Sequence, residues 1–119
     1  MTQETTAIAD VPGFVSDAVK ALFIDVDASA VDRFFADTYK DHALPGDTPS
    51  IDGLREFMNT LPENFGYQHV RAFGDESFVF TQGIYSGFGP EPQSVFDIWR
   101  VENGKIVEHW DLYENASND

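Results

Sequence analysis

Apolar positions along the chain follow one period up to about residue 61 and another from residue 67 onward. In "FVSDAVKALFIDVD", Phe14, Val15, Ala18, Leu22 and Phe23 recur at helical intervals, which predicts a helix over about 14–25. "DASAVDRFFADTY" offers Asp27 or Ser29 as an N-cap ahead of Val31, Phe34 and Phe35, a second and shorter helix. After the loop-like "KDHALPGDTPS", Ser50 or Asp52 caps a third helix carrying Leu54, Phe57, Met58 and Leu61, which Pro62 ends or bends. From Tyr67 the pattern alternates through four β-rich runs separated by "GDE", "GFGPEP" and "ENGK". Such separators are turn chemistry, so the runs predict an antiparallel meander. Helices first and sheet second imply an α+β class in a single domain over residues 1–119. Residues 1–12 read as a loose arm and 115–119 as a frayed tail.

Size and composition narrow the function classes. A chain of 119 residues with eleven Phe can bury a bulky apolar interior or line a pocket. Against 21 Asp and Glu stand seven Lys and Arg, a formal charge of −14. That field repels phosphate backbones and anionic membrane surfaces, so nucleic-acid and membrane partners are not expected. The lack of cysteine excludes disulfides, thiolate catalysis and thiolate metal ligation. With no signal-peptide pattern or long apolar run, the expected location is the cytoplasm.

Candidate chemistry concentrates in "GKIVEHWDLYE", residues 104–114, which reads as one strand. Alternation sets His109 and Asp111 on one side and Trp110 on the other. The preceding "RVENGKIV" permits two turns. A two-residue Asn103–Gly104 loop pairs Glu102 with Lys105 and sets Asp97 opposite Trp110. A three-residue Glu102–Asn103–Gly104 loop pairs Val101 with Lys105 and sets Asp97 opposite His109 and Asp111 opposite Val95, on a face shared with Trp99 and Val107. One residue of slip separates a site from a scatter.

"VFDIWRVENGKIVEHWD", with "YKDH" and "IDGLREFM", resembles the SnoaL-like polyketide cyclases and aldol-condensation proteins of the nuclear-transport-factor-2-like superfamily, over about residues 14–114. The resemblance implies a cone-shaped α+β barrel, a curved and mainly antiparallel sheet wrapped around N-terminal helices and an apolar pocket, often paired into a homodimer. It favours the three-residue loop. By the same likeness Asp111 corresponds to the general acid/base aspartate of the cyclases and His42 to a pocket histidine of the aldol-condensation branch. Asp97 stands where the cyclases carry histidine, a departure from their pattern.

Each candidate also has a plain structural reading. Asp111 in an apolar wall would have its charged form desolvated and could shuttle protons, or it is one surface acid among many. Asp97 is a second carboxyl of that site or a partner for Arg100 or His109. His109 orients Asp111 or donates to a ligand, or it packs; His42 is a pocket group or a polar loop residue. Trp99, Val107 and Tyr39 are the expected ligand-binding positions, and His69 reads as structural or exposed. A metal triad from His42, His109 and Asp111 lacks supporting spacing, so neither metal nor cofactor is expected. The sequence therefore points to a pocket for a small apolar carbonyl compound with acid/base chemistry, alternatively to a non-catalytic ligand-binding or dimerisation module. The dimer would form through the outer sheet face, including Trp110 or Ile98.

Overall fold

A computed structural model describes residues 10–43 and 50–115. Residues 1–9 of the expected arm, 44–49 of the loop and 116–119 of the tail lie outside that range. The first helix, α1, spans Val11–Phe23 and thus takes in the "VPG" read as part of the arm. Asp10 caps it, its Oδ1 accepting from the Gly13 N–H at 3.0 Å, and Pro12 sits in the first turn, where a missing N–H costs nothing. Val15, Ala18, Val19 and Leu22 form its fully buried stripe.

Ala30–Phe34 makes the short α2, and Phe35 then turns extended and opens strand β1, Phe35–Asp41. That strand replaces the helix end and loop start expected around Tyr39 and Lys40. Phe34 and Phe35 fit a helical stripe as well as a strand, and β1's register with its neighbour is broken between Phe35 and Lys40, so no clean alternation marks it. Helix α3, Ile51–Asn59, starts at Ser50, whose Oγ accepts from Gly53 N–H, and stops before Pro62.

Strands β2 (Gly66–Gly74), β3 (Phe78–Ser86), β4 (Gln93–Glu102) and β5 (Lys105–Asn115) form the expected antiparallel meander. With β1 running parallel to β5, the described residues form a five-stranded sheet of order β1-β5-β4-β3-β2. The sheet curves over α1 and α3 without closing, so β1 and β2 remain edges. On its inner face lie Val79, Thr81, Tyr85, Val95, Asp97, Trp99 and Val101. Ser16 Oγ on α1 meets His69 Nε2 at 3.0 Å, and His69 Nδ1 meets Tyr67 OH at 3.2 Å, so His69 pins helix to sheet as its structural reading held. No helix among the described residues is long and apolar enough to cross a membrane.

The β4–β5 turn corrects the expected loop. Glu102 pairs with Lys105, so the connection is the two-residue Asn103–Gly104, with φ of 52° and 77° as a type I′ turn demands. That turn alone would send Asp97 to the wrong side. Immediately beyond it, however, Val101 faces Ile106 while Arg100 faces Glu108, leaving Val107 as the extra residue of a bulge. Ile106 and Val107 are consequently both buried, and the alternation restarts in phase with β4. Asp97 lies opposite Asp111 and Trp99 opposite His109. The expected partners, Asp97 with His109 and Val95 with Asp111, are each displaced by one pair on the same face.

Because Gly104 holds a left-handed φ of 77°, Gly104→Ala should lower stability by about 1 kcal/mol, read as a depressed melting temperature. An unchanged melt would mean that the turn does not fix the register.

Candidate functional site

Three strands deliver the polar centre. Asp41 ends β1, Asp97 sits mid-β4, and His109 and Asp111 follow the bulge on β5. His109, 7% exposed, lies between two carboxylates that are each 2% exposed. Its Nδ1 is 3.2 Å from both oxygens of Asp41, and its Nε2 is 2.7 Å from Asp97 Oδ1. A carboxylate only accepts, so an imidazole held this way from both sides must donate from both nitrogens and is therefore a cation. Burial by itself pulls the His109 pKa down, but the hydrogen bonds to Asp41 and Asp97 and their charges outweigh it and raise it to about 9.

The flanks of this triad are also hydrogen-bonded. Tyr39 OH donates to Asp41 Oδ2, Ala43 N–H to Asp41 Oδ1 at 2.7 Å, and Tyr85 OH to Asp97 Oδ2 at 3.3 Å. Burial pushes the Asp41 carboxyl up, yet the His109 hydrogen bond and charge, with those of Tyr39 and Ala43, leave it below the usual carboxylate range. Burial first, and then the carboxylate charges of Asp41 and Asp97 respectively, push the Tyr39 and Tyr85 hydroxyls far up, so both remain protonated donors. The His109 ring stacks on Trp99 with centroids 3.9 Å apart and planes 13° apart, while Trp99 Nε1 donates to Thr81 Oγ1 at 2.9 Å.

Asp41, Asp97, His109 and Asp111 open onto a cavity of about 140 Å³. Its apolar wall comes from Phe23 of α1, Leu54 and Phe57 of α3, Phe88 after β3, and Tyr85, Val95 and Trp99 of the sheet; Gln93 adds an amide. Asp111 is half-buried there and has no hydrogen-bond partner among the described residues. Burial, then the charge of Asp97, raises its carboxyl pKa, with His109 opposing in part.

Of the sequence candidates, Asp97, His109, Asp111 and Trp99 are thus brought together at the cavity. Tyr39 is buried behind it as a donor to Asp41, and Val107 is buried as the bulge residue; neither lines it. His42 is not brought there either. It lies on the outer face, its Nε2 2.7 Å from Glu108 Oε2 and its ring stacked on Trp110. With Arg100 Nε at 3.0 Å on the other side, Glu108 is held below its ordinary pKa by the His42 hydrogen bond first and Arg100 second. Sequence reasoning missed Asp41 and Gln93. Reading "YKDH" as a strand would have found Asp41, since alternation that buries Tyr39 also buries Asp41 and turns His42 away. Among the described residues no group of three or more His, Asp or Glu converges to hold a metal ion.

A folded-state pKa of about 9 for His109, against 6.5 ordinarily, makes stability depend on pH. The folded chain holds the proton more tightly, so this contribution is complete below about pH 6.5 and is lost as pH rises through 9, up to about 3 kcal/mol. Thermal melts should therefore fall between pH 6.5 and 9.5, and His109→Gln should flatten that slope. Parallel pH profiles for both proteins would refute the buried cation.

No curated protein matches the sequence. Solved structures that share its fold include a candidate polyketide cyclase from Acidithiobacillus ferrooxidans, 14% identical, with a TM-score of 0.71 and 91% of each chain covered. An LEH-like epoxide hydrolase from M. tuberculosis is 17% identical, with a TM-score of 0.67 over 87% of this chain and 82% of that one. A Catenulispora acidiphila protein of ketosteroid isomerase-like fold, solved with trimethylamine, is 20% identical, with a TM-score of 0.68 and 88% of each chain covered. The family model of the SnoaL-like domain matches residues 16–109, from the middle of α1 to the histidine of the buried triad, and the chain belongs to that family.

Proposed function

We propose that this cavity binds a small apolar carbonyl compound and that Asp111 moves a proton on it, in aldol, cyclisation or isomerisation chemistry. One observation carries the reading: a carboxyl with raised proton affinity and no hydrogen-bond partner among the described residues lines an aromatic cavity. A base needs a free lone pair aimed at the ligand and a pKa drawn toward the working pH. Asp97 meets the first need less well, because His109 and Tyr85 occupy its oxygens.

The proton balance is simple. Asp111 accepts a proton from the carbon next to the carbonyl, the C–H electron pair moves into the carbonyl and an enolate oxygen forms. Returning the proton at another position isomerises the compound; attack of the enolate carbon on a second carbonyl closes a ring, and the alkoxide formed there takes the proton back from Asp111. Both His109 nitrogens and the Tyr85 hydroxyl proton are engaged, so the cavity-lining side-chain donor left for that oxygen is Gln93. The fold hosts a candidate polyketide cyclase and an epoxide hydrolase among its solved structures, which supports a small-molecule role. No cofactor enters this scheme.

The outer sheet face favours a second element of the reading, a homodimer. Phe73, Phe78 and Phe96 are exposed there, Leu112 is 71% exposed, and Ile98 and Trp110 lie among them half-buried. A contiguous apolar face of this kind marks an interface, and the helices cover only the other side.

Deuterium exchange at the α-carbon of small cyclic ketones tests the chemistry without knowledge of the substrate. Asp111→Asn should slow exchange by about 10²–10⁴-fold while melting temperature and ketone affinity stay near wild type. Wild-type exchange in the variant would leave a binding module and end the assignment of Asp111. Light scattering tests the dimer: the wild type should have twice the chain mass at micromolar concentration, and Leu112→Glu should halve it. A monomeric wild type would overturn the interface.

A further inference from the structure

The buried triad holds a carboxylate that the proton-transfer scheme does not use. Asp41 shares the wall of the cavity with Asp111, but His109, Tyr39 and Ala43 hold its two oxygens, and its contact with the chemistry runs through His109. We propose that Asp41 is a positioning residue, which fixes His109 as a two-sided cation so that one permanent positive charge stands beside the cavity where an enolate would form.

Polar groups surround His109 from four strands. From β1 come Tyr39 and Asp41, from β4 Asp97, from β3 the Tyr85 hydroxyl, and on its own strand Asp111. The helices contribute only apolar groups to the cavity, Phe23, Leu54 and Phe57. No Lys or Arg is among the residues that line it. Among the described residues His109 is thus the one cation that lines the cavity against three carboxyls, and without its proton those carboxyls would face a developing negative charge uncompensated.

A histidine paired with Asp97 alone could satisfy its Nε2–H and remain neutral, its Nδ1 left as an acceptor. The Asp41 carboxylate at 3.2 Å from Nδ1 removes that option, because an acceptor cannot face an acceptor. Tyr39 OH and Ala43 N–H in turn hold the Asp41 carboxylate in place. His109 then serves by charge rather than by donating to the ligand. A fixed cation in a water-poor site stabilises charge that appears during reaction at no cost of reorganisation. The raised His109 pKa agrees with this geometry.

This inference rests on the proposed role of Asp111 only for its kinetic arm, and its spectroscopic arm stands alone. In the wild-type protein at pH 7, long-range ¹⁵N NMR should show both His109 ring nitrogens protonated; a single neutral tautomer would overturn the proposal, whatever any variant does. Asp41→Asn should lower the His109 titration midpoint by about one pH unit or more, while Asp41→Glu, which keeps the charge, should recover much of it. In α-carbon exchange, the alkaline limb of the rate profile should move down with that midpoint in Asp41→Asn, with ketone affinity little changed. A folded Asp41→Asn with an unmoved His109 midpoint would reduce Asp41 to a packing role. Loss of the Asp111 assignment would show instead as wild-type exchange in Asp111→Asn, with the His109 titration intact.

Discussion

The doubly held imidazolium of His109 is the constraint on which the architecture of the site turns. Burying an ion group is costly, and a buried ion pair is seldom more stabilising than well-packed apolar side chains of the same volume. Here the cost is offset only when both carboxylates sit within hydrogen-bond reach of one ring, and those carboxylates come from strands far apart in sequence. Asp41 belongs to β1 and Asp97 to β4, on opposite sides of β5 in the sheet. The triad therefore demands that β5 be central, that β1 join it in parallel, and that all three strands present their polar residues at one level. Register between three strands becomes an electrostatic matter as well as a hydrophobic one.

That demand explains why the bulge at Val107 matters more than the turn beside it. A type I′ Asn-Gly turn is the strongest local signal in the hairpin, and the chain obeys it. Left uncorrected, it would have placed His109 and Asp111 on the outer face, with Trp110 inside. One extra residue restores the phase, and it does so where Ile106 and Val107 can both be buried. The sequence carries a faint trace of this: "KIVEHW" places two β-branched residues side by side where strict alternation would place one. Turn chemistry is local and legible. A bulge is the compromise between a local turn and distant packing, and short-range patterns underdetermine it.

The same division governs what else could be read in advance. The three helices, the meander and the α+β class follow from periods and caps that lie within a dozen residues of one another, and they were legible. The second helix was legible only as a start: its continuation into β1 depends on pairing with β5, some seventy residues away, as the Asp41–His109 register shows. Missing β1 led directly to preferring His42 over Asp41. In a loop the histidine of "YKDH" is the more chemically suggestive group. On a strand its side chain is bound to oppose that of Asp41, and it ends against Glu108 and Trp110 on the far side of the sheet.

Strand β5 consequently works on two faces. Its inward residues, His109 and Asp111, meet the cavity, whereas Glu108, Trp110 and Leu112 alternate with them on the outside. Glu108 is clasped between His42 and Arg100, and His42 N–H also donates to the His109 carbonyl at 2.9 Å. The outer network thus grips the backbone of the very residue whose ring completes the inner triad. Packing on one side of a pleated strand fixes the backbone that aims side chains on the other. A cover over the exposed Leu112 side would therefore stiffen the segment that carries Asp111. The outer face and the geometry of the inner cavity are linked through a single strand, without any residue having to belong to both.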